Sequence, residues 1–474
     1  MNSSGKHWQQ ALDAVARRVL PAARAADVAR VSAGASQEIW SFDAVTGERR
    51  LPLILRLAGA WNQENTLGAL DLETEAEILR VAADHGVPVP TVRLVLESRD
   101  GLGRGYVMDR VPGETVPRRI LRNDAYAGAR AVLTGECAAV LAAIHAVPPS
   151  VLPGGVRAVS VTAQLEAQYA AYQRHSVPRP VFEYAFRWLH EHMPPEPRTP
   201  ALVHGDFRHG NFVVDEHGLR AVLDWEIAHV GDPMEDLGWL CVNSWRFGHI
   251  DRPVGGFGDR EGLYDAYEAA SGVAVEPERV RYWEVFGTLR WGVICASMAR
   301  AYQDGLDRSV ERGAIGRRAS EAALDLLRLL VPVHDSRQEA GDVTQEQPRA
   351  DELLEGVIDF LTSEVVPATD GRLTFQARVA ARTLEVVRRE MQRRGGGAVQ
   401  GEQGRLQALV ERDGTYEDLV PELCSRIREG RIELSDPQLR EFLWATTLDT
   451  LAVDQPEYPA YRRTLEELNK AGQS

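Results

Sequence analysis

The chain has 474 residues, 44% of them hydrophobic and 26% charged, which is the make-up of an ordinary globular protein long enough for two or three domains. A formal net charge of −15 leaves no excess of basic residues for a nucleic acid or an anionic membrane surface to engage. The four cysteines (Cys137, Cys241, Cys295, Cys424) are far apart and form no CxxC pair, which argues against a disulfide framework or a zinc site and fits a reducing cytosol.

The N-terminal residues contain no apolar run of the signal-peptide kind. No stretch is expected to reach the roughly 18 apolar residues that span a bilayer, so a cytoplasmic protein is expected. Helical periodicity runs over residues 8–28. Residues 31–42 (VSAGASQEIWSF) read as a small-residue turn leading into an aromatic, β-branched strand. Residues 51–57 (LPLILRL) form a short apolar strand with one charge inside it, Arg56. A helix fits residues 71–85 and is stopped by Gly86 and the VPVP run, because proline ends helices and biases its predecessor toward extended structure. Residues 91–97 and 105–110 read as two more strands, joined by a glycine-rich turn.

Helices dominate residues 123–331, with apolar spacing over 127–146, 181–192 and 278–302. Residues 201–239 (ALVHGDFRHGNFVVDEHGLRAVLDWEIAHVGDPMEDLGW) interrupt them. Within this segment the β-branched runs 212–214 and 219–223 flank a hairpin-like turn at 215–218. Residues 335–350 are polar, contain proline and lack periodicity, as a linker would. Residues 351–474 read as all-helical, broken by a glycine run at 395–397.

The chemistry concentrates in His204-Gly-Asp206-Phe-Arg-His-Gly-Asn211, with Asp224 thirteen residues further on. Phosphoryl transfer needs little covalent help: a carboxylate beside the attacking hydroxyl, cations on the transferred group, and Mg²⁺ on the phosphates. Mg²⁺ takes hard oxygen ligands, few of them from the protein. A loop aspartate, an asparagine five residues later and an aspartate beyond a short hairpin could supply such a set. A dinuclear phosphatase would also gather Asp, His and Asn, but it presents a GD-x-H-G run one residue shorter than this one, with further Asp and His blocks that are missing here.

HGDxxxxN followed by LDWE resembles the aminoglycoside phosphotransferase and choline kinase-like family of small-molecule kinases. Further stretches are similar to that family in the same order: GDPMEDLGWL with Asp232 and Asp236, residues 31–42 as a nucleotide loop, residues 106–113 as a hinge, and Ala143-Ile-His145-Ala. The resemblance implies Asp206 as the catalytic base and Asn211 and Asp224 as Mg²⁺ ligands. It also implies Arg56, steered by Glu75, on the α and β phosphates of ATP. Ser32, Gly34 and Ser36 would cover the phosphates, and the hinge around Met108 and Arg110 would meet the adenine. His204, Asp232 and Asp236 would brace the loop. The chain departs from the pattern in having Arg for Lys at position 56 and one glycine where the nucleotide loop has two.

The implied fold is α+β and bilobal, protein-kinase-like. An N-lobe over 1–112 is an antiparallel sheet plus helix, a mainly helical C-lobe covers 113–334, and an all-α domain over 351–474 follows the linker. The LDWExAxxGDPxxDLGW wording resembles kinase domains associated with acyl-CoA dehydrogenases. It implies a hydroxylated acyl or other catabolic acceptor, with an aminoglycoside-modifying kinase as the alternative. A catalytically silent nucleotide-binding module would have lost the base or a metal ligand, and both are present. The C-terminal helices carry no catalytic cluster; docking of an acyl-CoA-pathway partner or a homodimer is an expectation for them.

Overall fold

The computed structural model describes residues 3–31, 37–58, 69–175, 178–304, 306, 315–333, 350–394 and 398–471. Ser32, Gly34 and Ser36, the glycine run at 395–397 and the linker before Ala350 lie outside the described residues.

Helix α1 (Ser3–Val19) is followed by strands β1 (Arg24–Arg30), β2 (Gln37–Thr46) and β3 (Arg49–Ala58). The helix expected over 8–28 therefore stops nine residues early. Pro21 lacks the N–H that a continuing helix needs, Ala22 turns to a left-handed φ of 62°, and the chain re-enters as β1. Helix α2 (Leu72–Asp84) follows, capped by the Asp71 carboxylate on the Thr74 N–H. Strands β4 (Val92–Val95) and β5 (Gly105–Asp109) complete a five-stranded antiparallel sheet in the order β1-β2-β3-β5-β4.

Alternation along β3 decides what each face of this sheet does. Leu53, Leu55 and Leu57 are buried in a cluster with Leu12, Val15 and Ala16 of α1. Ile54 and Arg56 take the opposite face, toward α2. On α2 the buried stripe Leu72, Glu75, Ala76, Ile78, Leu79 and Ala82 has helical spacing, and it carries Glu75 inward among apolar neighbours.

Residues 110–114 connect the lobes, and Glu114 exchanges backbone hydrogen bonds with Val214 (2.8 and 3.0 Å). The C-lobe holds α3 (Pro117–Arg122), α4 (Ala127–His145), α5 (Val161–His175), α6 (Pro180–Glu191), β6 (Ala201–Val203) and the hairpin β7 (Phe212–Asp215) with β8 (Gly218–Val222). After these come β9 (His229–Gly231), α7 (Met234–Cys241), α8 (Arg260–Ser271), α9 (Pro277–Gln303) and α10 (Ala319–Leu330). The stretch 124–145, which contains α4, has a mean hydropathy of 1.5 over a membrane-length window, contrary to the expectation that no segment reaches that length. Alanine accounts for much of this. The helix packs against α8, β6 and β8, with Leu133, Cys137, Leu141 and Ile144 in the core, so its apolar length serves the lobe interior. All four cysteines are buried and free.

Among the described residues six further helices follow: α11 (Ala350–Phe360), α12 (Gly371–Arg394), α13 (Ala398–Val410), α14 (Tyr416–Arg428), α15 (Pro437–Asp454) and α16 (Pro459–Ala471), with a π turn and a short helical piece between α11 and α12. They do not stand apart from the C-lobe. Leu419, Leu423, Ile427, Leu443 and Trp444 belong to the same buried cluster as α4, α6, α9 and α10. Polar contacts reinforce the seam: Arg428 pairs with buried Glu183 at 2.8 Å, and Trp444 Nε1 donates to Pro332 O at 2.8 Å.

Candidate active site

The hairpin explains the spacing between Asn211 and Asp224. Phe212 pairs with Val222, and Leu223 N donates to Asn211 O at 2.8 Å, so the two residues leave the open end of one ladder side by side. Asp224 has a left-handed φ of 68°, an uncommon conformation for a non-glycine residue and one found often at functional sites. Its side chain is about one-third exposed.

The β3 alternation and the α2 stripe converge on this point. The Arg56 guanidinium lies 2.8 Å from Asp224 Oδ1 and 3.3 Å from Glu75 Oε1, and stands over the Tyr106 ring at 5.9 Å. Burial pushes the Glu75 carboxyl up and the Asp224 charge adds to this, while the Arg56 charge, the Tyr106 hydroxyl and the Trp225 N–H oppose it. For Asp224, burial pushes the same way but Arg56, by charge and hydrogen bond, holds the carboxyl below its usual range. Arg56→Met would leave Glu75 as an uncompensated buried carboxylate, a change that costs about 3–5 kcal/mol in comparable pairs. Urea denaturation of the variant should show that loss, and an unchanged midpoint would mean that Glu75 draws its support elsewhere.

Asp206 follows β6 in a loop fixed from several directions. Asp236 on α7 accepts from His204 N at 2.8 Å and Gly205 N at 2.9 Å, and lies 3.2 Å from His145 Nε2. Burial pushes the Asp236 carboxyl up, but His145 and His204 more than compensate and hold it low. His204 is fully buried. Its Nδ1 accepts from Asp206 N at 3.1 Å, so its proton sits on Nε2, 3.1 Å from Leu223 O. Burial lowers its basicity, and the neutral ring acts as a strut between the loop and the hairpin. Asp232, just before α7, ties the same N-terminal end of that helix to α9 through Arg279 (2.5 Å) and Trp283 Nε1 (2.8 Å). Asp236→Ala should strip two backbone N–H groups of their acceptor, lowering turnover and thermal stability together; a fully active, equally stable variant would contradict that role.

The Asp206 carboxylate is gripped on both oxygens. Oδ1 accepts from Arg208 Nε and from Trp239 Nε1, each at 2.8 Å, and Oδ2 accepts from Asn211 Nδ2 at 2.6 Å. The Arg208 guanidinium is stacked on the Trp245 ring at 4.3 Å, and Arg290 lies over Trp239 at 5.0 Å while donating to Gly205 O. Arg208, Trp239 and Arg290 had no assigned place in this site from sequence. The available signal was that Trp239 follows Asp236 by three residues on α7 and so shares its face. Glu226, two residues beyond Asp224, is pushed up to about 7 by burial, with Asp224 adding to the effect.

Two predicted nucleotide contacts are placed as follows. Met108 is buried within β5, paired with Ile54 and Val92. The Arg110 guanidinium is occupied by Asp43 at 2.7 Å.

Asn211 gives its amide nitrogen to Asp206, and its Oδ1 has no hydrogen bond among the described residues; Asp224 meets Arg56 through Oδ1. These are hard oxygen donors at the mouth of one hairpin, a set that fits Mg²⁺. Beside the loop lies a cavity of about 400 Å³ between α5, β9 and α9. Ala163, Ala167, Ile227 and Phe286 line it along with Arg157 and Arg290, and no carboxylate does so among the described residues. Gln168, 2% exposed, also faces it.

Residues 27–273 match the family model described as the phosphotransferase enzyme family, and residues 367–458 match a domain of unknown function, DUF6285. Acyl-CoA dehydrogenase family member 10 of Mus musculus is 33% identical over 180 residues, covering 36% of this chain and 16% of that protein. Family member 11 of Rattus norvegicus is 30% identical over 187 residues, covering 36% and 23%. The matched stretch thus spans less than a quarter of either relative. A solved Ralstonia eutropha protein assigned to the aminoglycoside phosphotransferases superposes with a TM-score of 0.54 at 24% identity, covering 68% of this chain and 97% of that one. At that identity the likeness shows the fold, which is bilobal and kinase-like.

Proposed function

We propose that this chain, which belongs to the phosphotransferase enzyme family and is a small-molecule kinase, transfers the γ-phosphoryl group of ATP to the hydroxyl of an acyl-type metabolite. Asp206 orients the acceptor hydroxyl and takes up its proton, with its carboxylate plane held by Arg208, Trp239 and Asn211. Arg56, kept in place by Glu75, meets the donor phosphates with a planar fork. Asn211 Oδ1 and Asp224 hold Mg²⁺, which when bound supplies charge neutralisation on the phosphates.

The observation that carries the acceptor class is the cavity beside the catalytic loop. Its walls are mostly apolar, with Gln164, Gln168 and His229 among them, and the full charges that line it are Arg157 and Arg290. A polycationic aminoglycoside would meet like charge there, whereas an acyl chain with an anionic end would find both an apolar wall and a cation. Ile227 lies just past Asp224, and Arg290 reaches the Gly205 carbonyl, so the cavity adjoins the catalytic loop. The names of the curated relatives, acyl-CoA dehydrogenase family members, support the same reading.

The test is Mg²⁺-dependent ATP consumption by the full chain with pools of hydroxy acids, hydroxyacyl thioesters and aminoglycosides. Turnover is expected with an acyl pool and not with aminoglycosides. The reverse pattern would refute the acceptor class, and Mg²⁺-dependent nucleotide binding without turnover on any pool would mark a silent module.

A further inference from the structure

We propose that the C-terminal helices position the catalytic loop, and that Tyr458, in the turn between α15 and α16, is the positioning residue through which they act. The inference rests on Asp206 being the base. It assigns a task to a helical region that carries no catalytic cluster of its own.

Three segments meet in a closed ring of hydrogen bonds. The Asn243 amide donates to Asp325 Oδ1 on α10 at 2.7 Å and to the Tyr458 hydroxyl at 2.6 Å. The Tyr458 hydroxyl in turn donates to Asp325 Oδ2. Asp325 is buried and the other two are half-buried, and a polar ring of this kind favours one arrangement of the segments it joins.

Asn243 opens the short 3₁₀ turn Asn243–Arg246 that follows α7. Two residues on, Trp245 lies under the Arg208 guanidinium and packs against Trp239 (5.2 Å) and Trp291 (5.0 Å). Its indole N–H is buried without a partner among the described residues, so packing and the backbone of the turn fix the ring. Arg208 and Trp239 are the two groups that grip Asp206 Oδ1. A continuous set of contacts therefore runs from Tyr458 through Asn243 and Trp245 to the carboxylate.

A second contact runs beside it. A Cβ on Gly248 would come within 3.5 Å of Pro459 Cγ, so the start of α16 abuts the same turn. Phe247, next to that glycine, has a left-handed φ of 46° and its ring meets His209 of the catalytic loop at 6.3 Å. Removing the Tyr458 hydroxyl should loosen the turn without emptying the core. Small misplacements of a catalytic group cost rate steeply.

The test uses the full chain labelled with 5-fluorotryptophan, with the Trp239 and Trp245 ¹⁹F resonances assigned from single Trp→Phe variants. Tyr458→Phe should shift both resonances and lower kcat about 10- to 100-fold with KM for ATP unchanged. Arg328→Gln, which cuts the bond from α10 to Thr464 of α16 (2.6 Å), should do neither. Unmoved resonances in a folded Tyr458→Phe chain would overturn the proposal. So would shifted resonances with unchanged kcat, or an equal kcat loss in Arg328→Gln. A wild-type chain inactive on every acceptor would instead refute the proposed function, leaving the resonance comparison to decide whether the coupling exists.

Discussion

Asp206→Asn is expected to cut ATP turnover by about 10³-fold, within the 10²- to 10⁴-fold that a general base contributes. The geometry makes the change worse than loss of a proton acceptor. Asp206 receives Arg208 and Trp239 on one oxygen and Asn211 on the other, so a new amide must turn its NH₂ toward a donor on one side. If it turns toward Asn211, that residue must flip its own amide, taking Oδ1 from the hairpin mouth where it is proposed to face Mg²⁺. Nucleotide binding that depends on Arg56 and Glu75 should persist, since neither touches position 206. Single-turnover kinetics with a nucleotide titration would separate the two effects. Unchanged turnover would remove Asp206 from the role of base.

The second large effect concerns truncation. Residues 335–350 read as a linker between independent units, and on that reading a chain ending before it keeps a working kinase. The packing points the other way. α14 lies along α6 and α15 lies along α10, and their buried residues form one cluster with the C-lobe. Tyr184 donates its hydroxyl to Leu434 O at 3.1 Å, Arg187 reaches Ile427 O at 3.2 Å, and Arg428 is the partner of Glu183, whose carboxyl burial already pushes up. Each large apolar side chain uncovered forfeits about 1.5–3 kcal/mol, and a few of them rival the roughly 5–15 kcal/mol that holds a domain folded. A chain ending at residue 333 should therefore aggregate or melt without a cooperative transition in circular dichroism. A sharp transition and retained nucleotide-dependent stabilisation would show that the lobes fold alone.

Much of the site was legible in the sequence because its signals are local. Arg56 stood out as the single charge in a short apolar run, while its partnership with Glu75 was implied by the resemblance to the kinase family; the alternation of β3 and the α2 stripe are what bring the two side chains together. The turn between two β-branched runs announces the hairpin, and a hairpin brings its two ends together, which is why Asn211 and Asp224 could be paired from spacing alone. The first helix was over-extended because apolar periodicity ran on through Pro21, where backbone chemistry stops it.

What only the tertiary structure decided is which remote side chains complete the polar shell of Asp206. A buried tryptophan has the same sequence signature whether its N–H meets a carboxylate or has no partner among the described residues, and Trp239 on α7 and Trp245 in the turn after it are one of each. The cavity beside the loop, the closed ring of Tyr458, Asn243 and Asp325, and the shared core of the C-lobe with the C-terminal helices depend likewise on how separate helices cross. Helix periodicity sets which face is buried but not against what. The sequence by itself thus pointed to the residues at the centre, whose signals are local, and the packing of distant helices decided what holds that centre in place and what lines the cavity beside it.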